Sequence, residues 1–418
     1  MAPTLTVTNA EFEGRTVGLR AVDGIITEFG PEVAARTGDD HLDARGFAIT
    51  RGLVNGHGHA AMTLLRGFGD DLPLKEWLET RIWPAEARIT PADVYWGTRL
   101  ACLEMMRSGT THFWDMYWFQ FDVARAVQDS GMRATVSQVF LSFPGAPEEA
   151  RPEAAPEGME RLRSFGPRIT PSLGPHAIYT VDEPTLRLVA ELAAAHDAPV
   201  QIHLSETEDE VAECVAARGC RPAEYLDRIG LLTETTVLAH GVWLDDGELE
   251  LIAARGATIV TNPASNMKLA VGRAFRYPAA RALGIPFGLG TDGAASNNSL
   301  DLLAELKLLT LLQKHTHSDA SVLPAPEAWA IATGDAAPVL GGTPLAVGAP
   351  ADFLLIDQHS AEMTPSPLVD ALVYSGSGAA VDTTVVDGVV LMRHRQVDGE
   401  SEIRAQARAA AQRIRTIT

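Results

Sequence analysis

The sequence predicts an α/β protein: a distorted (β/α)8, TIM-type barrel carrying a small β-sandwich domain formed by both chain termini. Three observations predict it. Short strand-like stretches crowd the two ends of the chain. The interior alternates strand with helix often enough to supply eight candidate barrel strands. Histidines and acids suited to metal chemistry fall at the C-terminal ends of those strands, the face on which such barrels build their sites.

At the N-terminal end, residues 4–8, 16–20 and 25–29 read as strands, with Asp23-Gly24 as a hairpin turn. Residues 352–356 and 381–391 repeat that character around Asp387-Gly388. Neither end alone makes a stable sheet, so residues 1–49 and 346–418 are expected to form one composite domain beside a barrel spanning 50–345. The proposed barrel strands are 49–54, 110–115, 132–140, 168–173, 200–204, 236–239, 257–261 and 285–290. Helical patterns at 92–107, 122–129, 184–196, 246–255 and 278–283 separate them. A doubly wound sheet is the competing architecture, but the chain lacks the G-x-G-x-x-G turn of its dinucleotide-binding form. Residues 141–167, with Pro144, Pro147, Pro152, Pro156 and Pro167, read as a long rim loop containing one short helix. Residues 300–314 present Leu302, Leu303, Leu306 and Leu309 along one stripe, and 401–415 form a polar closing helix.

Composition narrows the function. The 418 residues carry 34 Lys and Arg against 54 Asp and Glu, a net charge of −20. A field of that sign disfavours a nucleic-acid backbone or an anionic membrane as partner, without excluding a free nucleoside. Three cysteines, Cys102, Cys214 and Cys220, do not make a disulfide framework and suit a reducing compartment. No run of 18 apolar residues occurs, and the first 25 residues lack a secretory pattern, so a cytoplasmic location is expected.

The sharpest local signal is Asn55-Gly56-His57-Gly58-His59 after the first barrel strand. Side chains two apart on extended backbone point the same way, so the imidazoles of His57 and His59 converge. An isolated pair of this kind is often a surface or core feature. Here His203 and Glu206, His240, and Asp292 follow at three later strand ends. Three imidazoles and a carboxylate suit one divalent metal per subunit, Zn²⁺ first, with Fe²⁺ or Mn²⁺ as alternatives. Such an ion brings bound water to a pKa of ~7. Glu206 stands where it can move the proton, and His240 where it can orient water or steady charge on a substrate.

Around these residues lie AAMTLLRG (60–67), DDLPLKEWLETRIWPAE (70–86), GPHAIYT (174–180), HLSET (203–207), NPASNMKL (262–269) and LGTDGAASNNSLD (289–301). With them the chain resembles the amidohydrolase superfamily, in the branch of adenosine-type and guanine aminohydrolases and s-triazine hydrolases. Within it, the similarity is greatest to the 5′-methylthioadenosine/S-adenosylhomocysteine deaminases. The resemblance implies that His57, His59, His203 and Asp292 hold the metal. It makes Asp292 also a base for the bound water, Glu206 the proton shuttle to a ring nitrogen, and His240 a contact to the water or tetrahedral centre. Glu86, in the WPAE run, would accept both ribose hydroxyls, a task suited to an acceptor-only carboxylate. His176 would meet the purine ring, and Trp83 and Gln138 would border the substrate. Trp114 and Trp118 read equally as wall or core, and Asn266 and Lys268 as braces of their loop.

The implied reaction is hydrolytic deamination at C6 of adenosine, 5′-deoxyadenosine, 5′-methylthioadenosine or S-adenosylhomocysteine. A guanine, pterin or s-triazine aminohydrolase or chlorohydrolase is the enzymatic alternative, and a non-catalytic metal-binding barrel the other. The expected partner is a small nucleoside or heteroaromatic amine, with the chain itself a homo-oligomer. Two departures stand out: Gly56 and Gly58 replace the threonines usual in the first motif, and Gln138 stands where relatives commonly carry Arg. The second favours a 5′ substituent without a carboxylate.

Overall fold

A computed structural model describes residues 4–143 and 146–415. Among these, eight parallel strands pair in chain order: Leu53–Asn55, Thr110–Asp115, Arg133–Phe140, Ile169–Pro175, Val200–Leu204, Thr236–His240, Thr258–Thr261 and Phe287–Leu289. The Gly56 N–H donates to Leu289 O at 2.8 Å, so the last strand meets the first and the barrel closes. Helices flank the strands, and Val200–Leu204, Thr236–His240 and Thr258–Thr261 are buried at every position. Burial on both faces explains the apolar centres of Thr236–His240 and Thr258–Thr261; Val200–Leu204 instead alternates, with Gln201 and His203 between apolar residues. The helix Pro91–Ser108 shows how local signals delimit the crossovers: Thr90 and Asp93 form a capping box, Pro91 occupies the first turn, and left-handed Gly109 ends it.

The terminal strands form a separate mixed sheet. Its order is Val389–Met392, Val381–Val386, Phe353–Asp357, Phe47–Arg51, Leu5–Phe12, Arg15–Val22 and Ile25–Gly30, with Asp40–Asp43 also pairing Leu5–Phe12. Leu5, Val7, Leu19, Ile26, Phe353 and Val385 cluster as its core. Both ends of the chain are thus needed for one sheet.

The stretch read as a single strand over 49–54 is two. Phe47–Arg51 runs antiparallel to Phe353–Asp357, whereas Leu53–Asn55 runs parallel to Thr110–Asp115. Gly52 lies between them, and a Cβ there would fall 1.9 Å from Thr111 Oγ1. Both halves are apolar, so hydrophobicity gave no sign of the change of sheet. Arg133 joins the two units, its guanidinium 2.9 Å from Asp352 and 3.2 Å from Asp387. The closing helix Glu400–Arg415 packs on Pro91–Ser108 through Ile403, Ala407, Ala410 and Ile414.

The rim segment holds the helix Ala155–Arg163, preceded by two short turns at Glu148–Ala150 and Pro152–Ala154. Pro144, part of its proline run, lies outside the described residues. Helices Leu74–Trp77, Glu208–Arg218 and Pro222–Arg228 were not read from the sequence. Among the described residues no helix is long and apolar enough to cross a membrane.

Candidate active site

His57 and His59 leave the first barrel strand, His203 ends the fifth, and Asp292 follows the eighth. All four are buried and their ligand atoms lie within 4.8 Å of one another. His203 Nε2 is 3.1 Å from His57 Nε2 and 3.3 Å from His59 Nε2. Asp292 Oδ1 is 3.1 Å from His59 Nε2 and 3.6 Å from His57 Nε2. Ligands at about 2.0–2.2 Å from a tetrahedral ion are separated by ~3.4 Å, so the spacing fits.

The outward nitrogens fix the tautomers. His57 Nδ1 faces Gln201 Oε1 at 3.1 Å, while His59 Nδ1 and His203 Nδ1 face the carbonyls of Met116 and His176, each at 2.7 Å. An oxygen acceptor on each Nδ1–H leaves the Nε2 lone pair pointing inward. Three lone pairs and a carboxylate facing one point require a cation. Without the ion, burial opposes charge on His59, but the Asp292 carboxylate outweighs it and raises that imidazole to about 9, a proton the ion would displace; burial lowers His57 to about 4. Burial also acts against ionised Asp292, yet the His57 and His59 imidazoles beside its Oδ1 hold it well below the usual carboxylate range. The cluster is a single divalent-cation site, its three-nitrogen, one-oxygen donor set suited to Zn²⁺.

The loops after the strands complete the setting. Ser265 and Ser296 hydroxyls lie 2.6 and 2.8 Å from Asp292 Oδ2, leaving Oδ1 toward the imidazoles. Ser205, His240 and Asp292 all have positive φ, of 51°, 73° and 57°, a conformation that non-glycine residues adopt only where surroundings enforce it. Asn266 Oδ1 accepts from His240 Nδ1 at 2.7 Å, which leaves His240 Nε2 as its acceptor nitrogen. Glu206 Oε1 is 3.7 Å from His240 Nδ1. Burial, reinforced by the Asp292 charge, pushes Glu206 up to about 8.

A cavity of about 750 Å³ opens over the cation site. Its walls include Glu86, His176, Glu206 and His240, with Trp83 at 43% exposure and Trp118. Glu86 is buried, and Tyr117 donates to its Oε1 at 2.9 Å. Burial pushes Glu86 up to about 8 against that hydrogen bond, and among the described residues no Lys or Arg pairs with it. Glu86 is thus a carboxyl group at the cavity wall rather than one held in an ion pair. His176 lies beside His203, rings 4.5 Å apart, and its Nδ1 meets Thr180 Oγ1 at 2.9 Å.

Gln138 requires a correction: it does not border the cavity. Its neighbour Val139 does, and the alternation of the strand turns Gln138 outward to the helical layer. There it is fully buried, accepting from Gln120 Nε2 at 2.8 Å and donating to Glu149 O at 2.6 Å. The tryptophans also separate. Trp114 packs in the barrel interior with Val54 and Val237, whereas Trp118 stacks on Tyr117 at 4.3 Å beside the cavity. Lys268 braces loops through Asp70 and Asn298. At Gly56 a Cβ would come within 3.1 Å of the Val260 and Leu340 side chains, a tight fit. Gln201, Ser265, Ser296 and Tyr117 were missed by the sequence reading: Gln201, Ser265 and Tyr117 act on partners distant in the chain, and Ser265 and Ser296 lie within the 262–269 and 289–301 motifs without a role readable there.

A closed α/β barrel with a three-histidine, one-aspartate cation site beneath a cavity, flanked by buried carboxyl groups, defines a metal-dependent hydrolase. The description "Amidohydrolase family" matches residues 48–391, and the chain belongs to that family. It is 47% identical over 378 residues to a 5′-deoxyadenosine deaminase of Methanoregula boonei, covering 89% of this chain and 86% of that protein. It is 41% identical over 381 residues to 5-methylthioadenosine/S-adenosylhomocysteine deaminase 1 of Archaeoglobus fulgidus, covering 89% and 90% respectively. Among solved structures, an adenosine deaminase from Xanthomonas campestris with bound zinc superposes with a TM-score of 0.92 at 33% identity, over 99% of each chain.

Proposed function

We propose that this chain hydrolytically removes the 6-amino group of adenosine-type nucleosides whose 5′ substituent is small or apolar. One observation carries the reading: a single cavity joins the cation site to two buried carboxyl groups, Glu206 and Glu86, both raised to about 8. A divalent ion held by His57, His59, His203 and Asp292 supplies water activation at neutral pH. Glu206 holds a proton at that pH and delivers it to a ring nitrogen; as a carboxylate it then takes the proton of the new C6 hydroxyl and passes it to the departing amine. Asp292 Oδ1 accepts a proton released at the site. His240, its tautomer set by Asn266, accepts from the attacking water and orients it. His176 borders the purine edge and Trp118 offers stacking area. Glu86 accepts from the ribose hydroxyls; two such donors bring its carboxyl back toward the ionised form.

The 5′ end rests on apolar wall, including Leu74, Leu78 and Phe143. Arg218 also borders the cavity, but its guanidinium already donates to Ile178 O at 3.2 Å and lies over the Tyr225 ring at 3.9 Å. An amino-acid tail would find only this partly engaged guanidinium, also 3.6 Å from Glu183, as a partner for its carboxylate, at a cost in binding. The net charge of −20 supports a free nucleoside over a nucleic acid, three buried free cysteines support a cytoplasmic setting, and exposed Trp83 and Phe143 support a homo-oligomer.

The test is ammonia release by zinc- and iron-loaded protein across adenosine, 5′-deoxyadenosine, methylthioadenosine, S-adenosylhomocysteine, guanine and aminotriazines. The first three are expected to turn over, with kcat/KM for S-adenosylhomocysteine at least ~10-fold lower. Comparable turnover of the ribose-free compounds would overturn the reading.

A further inference from the structure

Glu210 has a geometry that helix formation alone does not explain. The sequence Thr207-Glu208-Asp209-Glu210 has the spacing of a capping box, and Thr207 does cap the helix Glu208–Arg218, accepting from Glu210 N at 3.2 Å. In the ordinary box the glutamate would return to the N–H of the capping residue. Here it passes that residue and takes the two N–H groups before it. Ser205 N donates to Glu210 Oε1 and Glu206 N to Glu210 Oε2, each at 2.8 Å. Glu210 is buried, and among the described residues no Lys or Arg pairs with it. A buried carboxyl group without a cation is costly to keep unless it does something a neutral side chain cannot.

What it holds is the backbone of Glu206. The Ser205–Glu206 peptide is fastened on both edges, its N–H by Glu210 and its C=O by Trp243 N at 2.8 Å. Ser205 adopts its left-handed φ at this point. Among the described residues, the Glu206 carboxyl has one ion-pair partner within 4 Å, His240 Nδ1 at 3.7 Å. The direction in which its carboxyl enters the cavity is therefore set by the peptide planes on either side of its Cα.

We propose that Glu210 is a positioning residue, which aims the Glu206 carboxyl by clamping the N–H groups of Ser205 and Glu206. This rests on the proton-transfer role given to Glu206 above. A carboxyl group suits the clamp because each oxygen can accept one of two adjacent N–H groups; burial pushes Glu210 up to about 8, and these two hydrogen bonds act against it in favour of the ionised form. An amide offers one acceptor and sets its own NH₂ against the second N–H.

The test compares Glu210→Gln, Glu206→Gln and the double variant in zinc-loaded protein, with zinc content measured by mass spectrometry. Glu210→Gln is expected to keep its zinc and its KM within about threefold while kcat falls ~10- to 100-fold, the penalty for a reacting group displaced by about 1 Å. The double variant should be no slower than Glu206→Gln alone, since Glu210 acts only through that side chain. Glu210→Asp, which keeps the charge but withdraws it by one methylene, should show the same loss confined to kcat and carries the test should the Gln variant not fold. Wild-type kcat in the Glu210 variants beside an inactive Glu206→Gln overturns the clamp alone. So does a double variant whose losses multiply, or a loss confined to KM or zinc content. An active Glu206→Gln instead overturns the role of Glu206.

Discussion

Replacing Gln201 with Leu tests the cation site at a residue that touches no cation. Gln201 is wholly buried in the fifth strand, and its Oε1 is the acceptor for His57 Nδ1–H at 3.1 Å. Its amide orientation is itself fixed, Nε2 donating to Ser137 Oγ at 2.7 Å and to Asp115 O at 3.2 Å. Leucine fills similar space but accepts nothing. Without the ion, His57 can escape by moving its proton to Nε2, which faces the acceptor His203 Nε2 at 3.1 Å. With the ion, Nε2 must be bare and the proton returns to Nδ1, buried with no partner. The penalty of about 1–3 kcal/mol for an unsatisfied buried donor therefore falls on the bound state alone. That converts to zinc binding weakened ~10- to 100-fold, the usual range for removing a group that orients a metal-binding histidine. The assay is zinc competition against a chromophoric chelator at one pH, with turnover at saturating zinc as a check on the fold. A dissociation constant within about threefold of wild type would refute the tautomer argument.

Three further outcomes are expected. Asn266→Leu removes the acceptor that sets the His240 tautomer, and kcat should fall ~10- to 100-fold with zinc content unchanged; unchanged turnover would refute the orienting role. Glu206, raised to about 8, is the required acid in its protonated form, so kcat should be maintained below that pH and fall as pH rises through it; a flat profile between about pH 7 and 10 would contradict it. Asp352→Ala leaves the mostly buried Arg133 guanidinium with Asp387 as its remaining carboxylate and should cost about 1–3 kcal/mol in denaturant unfolding, whereas a loss below about 0.5 kcal/mol would show that the joint does not depend on this pair.

What could be read from the chain without its structure was whatever lies within a few residues. His57 and His59 are two apart on one strand exit, and that spacing alone makes them converge. His203, Glu206, His240 and Asp292 were legible because each lies at or just past the C-terminal end of a strand-like stretch. Gln138 was misplaced for the opposite reason. A motif position says which strand a residue occupies, but one step in register decides whether it enters the cavity or the helical layer, and Gly158 of the helix Ala155–Arg163 lies against it. The 49–54 stretch failed similarly: two strands of different sheets share one hydrophobic signature, and only the lack of space at Gly52 separates them.

The sequence by itself determined the barrel, the sheet contributed by both ends, the four cation-binding residues and the class of chemistry. Periodicity, turn residues and the shared position of polar groups at strand ends are local quantities, written along the chain. The tertiary structure alone decided which nitrogen of each imidazole faces inward, why Glu206 keeps its proton, and which carboxyl groups look into the cavity. Those depend on Gln201, Met116, Asn266, Tyr117 and Glu210, partners brought near by folding. Burial and a hydrogen bond act through space, and a linear pattern carries no record of who will be the neighbour.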